Sequence, residues 1–366
     1  MWSSPNDPAA RVTPAGQTEA REGVRIAHLS VRYGARTVLD DLSLDIGAGE
    51  QLAVLGKSGC GKTTLLRFIA GFVKADGLAG TVTVAGRDLT HVPPHQRNLG
   101  LLFQSYALFP HLTVFENVAF GLRARHVAAG DVARRVAEAL ELVQLGDTRE
   151  HLPAELSGGM QQRIALARAL VIEPDVLLLD EPLSALDANL RASMRSEFKA
   201  LHERLPNLTM IYVTHDRDDA LALADRVLLL HDGRIAQLGT PQQLYDAPVN
   251  GFVARYLGAA NLLPPELVFP PGDPRHDARD KVACVRPEWL TVRPLRPGDE
   301  GQGGLRGTVT AAEWSGADFT LAVTLDDPAH GEPVLATVQR GRGAAPERGA
   351  RVALDCQAHD AILIDP

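Results

Sequence analysis

Short apolar runs alternate with longer stretches of helical periodicity through the front of the chain. The runs are Val24-Arg25-Ile26 and residues 52–55, 176–179, 209–213 and 227–230. Strands alternating with helices predict a largely parallel sheet covered by helices, an α/β architecture. Short extended segments near Val31 and over residues 81–84 add an antiparallel subdomain. Beyond Asn261 the texture changes, and Pro264, Pro265, Pro270, Pro271, Gly272 and Pro274 break any helical pattern and mark a linker. Six short strands follow, over residues 282–285, 305–309, 319–325, 334–338, 352–354 and 362–364. Their even spacing, with turn residues between, predicts a small all-β barrel or sandwich. Residues 1–23 are rich in Pro, Ala, Ser and charge, lack the apolar core of a signal peptide, and are expected to form a disordered tail. The expected domains are therefore 24–260 and 261–366.

Composition fits this division. At 366 residues and 45% apolar content the chain exceeds what one core organises and supplies enough for two. A net charge of −8 argues against nucleic acid as a partner, because such a partner selects a clustered basic surface. Cys60, Cys284 and Cys356 are odd in number and form no CxxC pair, which fits a reducing compartment. No run of about eighteen uncharged apolar residues is present, so any membrane role comes through a partner.

The chemistry begins at Gly56-Lys57-Ser58-Gly59-Cys60-Gly61-Lys62-Thr63, which follows the apolar run 52–55 and precedes a helical stretch opening at Thr64. Strand, glycine loop and helix in that order fit G-x-x-x-x-G-K-[ST]. There backbone N–H groups of Gly56, Ser58, Gly59, Cys60 and Gly61 and a helix N-terminus surround a polyphosphate, Lys62 neutralises its outer charge, and the hydroxyl of Thr63 reaches Mg²⁺. Thr64 completes the helix entry, and a nucleoside triphosphate is the expected ligand. The run 176–179 ends in Asp180 and Glu181, which places both carboxylates at the carboxyl edge of the sheet where α/β folds bind ligands. Asp180 is suited to hold Mg²⁺ through water and Glu181 to polarise the attacking water. Ser157, followed by Gly158 and Gly159, is a second capped helix start able to approach a phosphate. One loop already holds one nucleotide's phosphates, so this second end points to a phosphate from elsewhere.

These residues resemble the ATP-binding subunits of ABC transporters, and the match runs in order from Tyr33 to His215. The resemblance implies ATP and Mg²⁺ as cofactors and a P-loop ATPase domain with an antiparallel β subdomain and a helical subdomain. It also implies a homodimer in which Ser157, Gly158 and Gly159 act on ATP held by the opposite subunit. Gln104 is similar to the family's Q-loop glutamine, which touches Mg²⁺ and water and relays nucleotide state to the membrane subunits. Residues 184–187 are similar to the D-loop, His215 to the switch histidine at the γ-phosphate, and Tyr33 to the aromatic that stacks on adenine. Lys57 departs from the pattern, since many transporter subunits carry proline there; it adds charge beside the phosphates.

The second domain resembles the β-barrel regulatory domain found in one group of importers, most clearly over Cys284-Val285-Arg286-Pro287-Glu288. That implies two transmembrane permease subunits, a periplasmic solute-binding protein as indirect partner, and a peripheral place on the cytoplasmic face of the inner membrane. Segments 70–73, 89–94, 118–124 and 205–212 resemble subunits for 2-aminoethylphosphonate uptake, which is the expected solute. Putrescine, spermidine, ferric-iron, sulfate and sugar importers share much of this, and the family resemblance implies an ATPase that never touches the solute. A DNA-repair or translation ATPase would carry long coiled coils or two ATPase units. A nucleotide sensor without turnover would not need Glu181 beside Asp180.

Overall fold

The computed structural model describes residues 23–103, 107–184, 186–295, 305–327, 330–339, 346–357 and 359–366. Two compact units divide the chain, one reaching to Gln51 and resuming over Thr63–Ile211, the other made of Leu52–Lys62 and Tyr212–Pro366. The expected tail falls almost wholly outside the described residues.

The chain opens with β1 (Val24–Tyr33) and β2 (Arg36–Ile46), and then runs through β3 (Gln51–Gly56), α1 (Lys62–Ala70), β4 (Gly77–Val84), β5 (Arg87–Asp88) and β6 (Leu99–Leu102). Helices α2 (Val114–Ala124), α3 (Ala129–Leu142) and α4 (Gly158–Leu170) follow, then β7 (Val176–Asp180), α5 (Ala188–Arg204) and β8 (Thr209–Val213). In the first unit, β2-β1-β4-β5 form the antiparallel sheet expected from residues 31 and 81–84. The segment near Val31 is not a separate strand: it continues β1, whose register shifts between Ile26 and Arg32 absorb the polar residues that break its alternation. Strand β6 pairs with β7 in parallel, Leu102 opposite Leu179. The helix α1 ends on Arg97, buried at 5% exposure, whose Nη1 donates to the carbonyls of Phe68 and Ile69 at 3.0 and 2.7 Å. A guanidinium there both satisfies terminal carbonyls and complements the helix dipole.

The second unit continues with α6 (Arg217–Leu223), β9 (Arg226–His231), β10 (Arg234–Gly239), α7 (Pro241–Asp246) and α8 (Gly251–Leu257). Here β3 pairs with β9 in parallel and β10 with β9 antiparallel. The sheet of this unit is therefore mixed, with β10 as its antiparallel member. Every residue of β3 and of β8 is buried, which is why these strands read as unbroken apolar runs. Next come β11 (Asn261–Leu263), α9 (Pro265–Val268), β12 (Val282–Val285) and β13 (Thr291–Pro294). The chain closes with β14 (Leu305–Trp314), β15 (Asp318–Leu325), β16 (Val334–Gln339), β17 (Arg351–Asp355) and β18 (Ile362–Ile364). They form a three-stranded sheet β11-β12-β18 and a five-stranded sheet β13-β17-β14-β15-β16, the all-β architecture the strand spacing predicts. The proline-rich stretch does not exclude a helix: α9 starts at Pro265, where a missing N–H is harmless. Strand β12 is two-faced, since Ala283 and Val285 join the main β-domain core while Cys284 packs with Ala254 of α8 and Ile364.

Candidate functional site

In the second unit, β3 ends at Gly56 with φ +150°, where an added Cβ would lie 2.5 Å from both Cys60 Sγ and the Leu230 carbonyl oxygen. Only glycine fits that close approach. From there the loop turns back on itself through exposed Lys57, Ser58 and Gly59 and buried Cys60 and Gly61 to the start of α1. Lys62, 6% exposed, donates from Nζ to the carbonyls of Gly56 at 2.7 Å and Lys57 at 3.1 Å. An ammonium has three donors, so the loop holds a buried cation by its own backbone with a donor to spare among the described residues. Burial pushes the Cys60 thiol pKa up, against the opposing pull of Lys62. Lys57, expected beside the phosphates, has its Nζ 5.9 Å from the Phe252 ring centroid. His215 is exposed in the turn after β8. It does not cap α6; Asp216 does, accepting from Asp218 N at 2.8 Å and Asp219 N at 3.3 Å.

In the first unit, the Thr63 hydroxyl donates to Asp180 Oδ1 at 3.4 Å, so two residues far apart in sequence meet at the head of α1 and the tail of β7. Thr64 lies next to it, half-buried. A hydroxyl and a carboxylate are hard oxygen donors suited to Mg²⁺. No group of three or more His, Cys, Asp or Glu able to hold a metal exists among the described residues. This donor pair therefore fits an ion completed by water and substrate phosphates, as Mg²⁺ usually is. Glu181 follows at φ +48°, a left-handed conformation that a β-carbon disfavours. The Ser184 hydroxyl donates to its carbonyl at 3.0 Å. Gln162, wholly buried, donates to the carbonyl of the next residue, Pro182, at 2.8 Å. Sequence reading missed Gln162, and its only signal is an uncharged polar side chain inside an otherwise small and apolar helix face.

Ser157 caps α4 by accepting from Met160 N at 3.4 Å. Gly158 is exposed, with nothing within 4 Å of where its Cβ would sit, while Gly159 is buried against Leu190. The N-terminal end of α4 is therefore open at Gly158. Asp187 caps α5, accepting from Asn189 N and Leu190 N at 3.0 Å each. Tyr33 stands at the end of β1, 41% exposed, available as a stacking face. Gln104 lies outside the described residues.

Residues 39–184 match the family described as ABC transporter, and residues 283–364 match the TOBE domain. Among curated relatives, the spermidine/putrescine import ATP-binding protein PotA of Marinobacter nauticus is 42% identical over 331 residues, covering 85% of this chain and 86% of its own. The Fe(3+) ions import ATP-binding protein FbpC of Rhizobium etli is 43% identical over 309 residues, covering 80% and 85%. PotA of Rubrobacter xylanophilus reaches 52% over 240 residues, 66% of this chain and 63% of its own. None of these names carries a phosphonate, so the expected 2-aminoethylphosphonate finds no support there, whereas the polyamine and iron alternatives do. Similarity of this depth, spanning both the ATPase and the TOBE region, places the chain among the ATP-binding proteins of ABC importers, ATPases whose hydrolysis of ATP drives solute import.

Proposed function

We propose that two copies of this chain bind two ATP at composite sites on the cytoplasmic face of the inner membrane and energise a pair of permease subunits fed by a periplasmic solute-binding protein. The observation that carries the reading is Lys62: a buried cation fixed by loop carbonyls is prepared for a triphosphate before one arrives. Tyr33 stacks on adenine, and the backbone of Gly56, Ser58, Gly59, Cys60 and Gly61, with Thr64 at the helix entry, surrounds the phosphates. Thr63 and Asp180, with Gln104, would hold Mg²⁺, which when bound neutralises phosphate charge. Glu181 takes a proton from the attacking water, and His215 and Gln104 sense the γ-phosphate. The exposed cap at Ser157 and Gly158 supports action in trans on the partner subunit's nucleotide. In this reading residues 24–260 form the ATPase domain and 261–366 the regulatory one. No helix among the described residues is long and apolar enough to cross a membrane, which fits attachment through the permeases.

For the solute, the names of the relatives favour a polyamine or ferric iron over 2-aminoethylphosphonate. The test is a deletion strain offered spermidine, putrescine, ferric citrate or, as sole phosphorus source, 2-aminoethylphosphonate. Loss of uptake of one and not the others assigns the solute; wild-type uptake of all four removes every candidate.

A further inference from the structure

The loop adjoins helix α8, which carries none of the motif residues. In α8, Phe252 stacks on His231 with ring centroids 3.9 Å apart and planes at 23°, and the Tyr256 ring follows at 5.7 Å from Phe252. Parallel pairing sets Gly56 beside Leu230, the residue before His231, so this aromatic trio abuts the end of β3. The Lys57 ammonium, 5.9 Å from the Phe252 ring centroid, joins it to the loop, and the Gly56 backbone amide opposes the rise that burial imposes on the pKa of the Tyr256 hydroxyl. Gly56 and Lys57 are the residues whose carbonyls hold Lys62.

The same helix is fastened to the β-domain. Arg286, wholly buried after β12, donates from Nη1 to the carbonyls of Ala254 at 2.8 Å and Ala259 at 3.2 Å, and from Nη2 to that of Tyr245 at 2.7 Å. Its guanidinium lies 4.0 Å from the Tyr245 ring centroid, and the Tyr245 hydroxyl donates to Glu288 at 2.6 Å. At the helix start, Gly251 N donates to the Asp365 carbonyl at 2.9 Å. Gly258, just past the end, admits this packing because a Cβ there would stand 3.0 Å from the Tyr245 ring.

The geometry points to α8 as a strut: Phe252 and Tyr256 are positioning residues for Gly56 and Lys57, and the packing of the TOBE region on α7 and α8 sets how the loop presents Lys62 to phosphate. The inference rests on reading residues 56–63 as the phosphate loop. A change in the β-domain would then register as a change in nucleotide affinity, with no contact between that domain and the nucleotide.

The experiment is a double-mutant cycle on the full chain, read by Mg²⁺-dependent binding of the fluorescent nucleotide mant-ATP. Tyr256→Phe removes the hydroxyl at the loop, and Tyr245→Phe removes only the distant bond to Glu288. One neutral hydrogen bond sets the scale, so Tyr256→Phe should weaken binding roughly 2- to 10-fold and Tyr245→Phe by a smaller factor. In a strut the Tyr245→Phe effect disappears when Tyr256 is already Phe, whereas independent sites multiply their factors. Multiplicative effects, or unchanged affinity in Tyr245→Phe, overturn the strut. Phe252→Leu, which keeps apolar bulk but loses the ring, should also weaken binding, and parental affinity there overturns the role of α8. Lys62→Ala serves as control: if it binds mant-ATP normally the loop assignment itself fails, and if it alone loses binding only the strut fails.

Discussion

Replacing Arg286 by Met keeps the length of the side chain and removes the guanidinium that serves three backbone carbonyls at 2.7, 2.8 and 3.2 Å. Two opposing terms decide the outcome. The wild-type protein bears the desolvation of a wholly buried cation, a burden the thioether does not carry. Against this, the buried Ala254 carbonyl left without a donor costs about 1–3 kcal/mol, the part-buried carbonyls of Tyr245 and Ala259 cost less because water can reach them, and the stacked contact with Tyr245 is worth roughly 1–2 kcal/mol. The substitution leaves no charge behind, so the net loss is that of the carbonyls' donors and the ring contact less the relieved desolvation, about 2–4 kcal/mol, and the unpaired carbonyls are expected to win here. Trp289 reports the event, since its N–H closes the turn on the Arg286 carbonyl at 3.0 Å. In guanidinium unfolding followed by tryptophan fluorescence, the midpoint should fall by roughly 1 M. Arg286→Lys should fall too, because an ammonium lacks the planar fork that reaches all three carbonyls. A midpoint for Arg286→Met equal to or above the parent's would show that the carbonyls find other partners and that Arg286 is not what fastens α7 and α8.

Glu181→Gln should bind ATP and trap a closed dimer while turnover drops about 100-fold or more, since an amide cannot accept the proton of attacking water; near-parental hydrolysis would remove Glu181 as the base. Lys62→Ala should lose MgATP binding, measured by fluorescence titration, because the outer phosphate charge is left without its fixed cation. A bulky maleimide on Cys60 should block hydrolysis, and prior MgATP should protect. Since burial raises that thiol's pKa, labelling followed by mass spectrometry should be slow at neutral pH and quicken as pH rises; full labelling with retained activity would dismiss the contact.

The glycine loop, the carboxylates after β7 and the cap at Ser157 were legible because each is local: a few consecutive residues carry both the conformation and the chemistry. Arg97, Gln162 and Arg286 were not, because their meaning lies in carbonyls that the fold delivers, from Phe68 and Ile69, from Pro182, and from Tyr245, Ala254 and Ala259. The long hairpin of β1 and β2 was half-seen, since its bulges interrupt the two-residue alternation that announces a strand. Helix α8 is seven residues long, too short for periodicity to separate its loop-facing rings from ordinary core.

Glu181 sits at φ +48°, where backbone physics alone would choose glycine or asparagine. A left-handed residue with a long side chain is a standing loss of order 1 kcal/mol that the rest of the fold absorbs. Two selections run on the same gene library would therefore part company at this codon. Survival of heat would enrich asparagine at position 181, and growth on the transported solute would bring glutamate back.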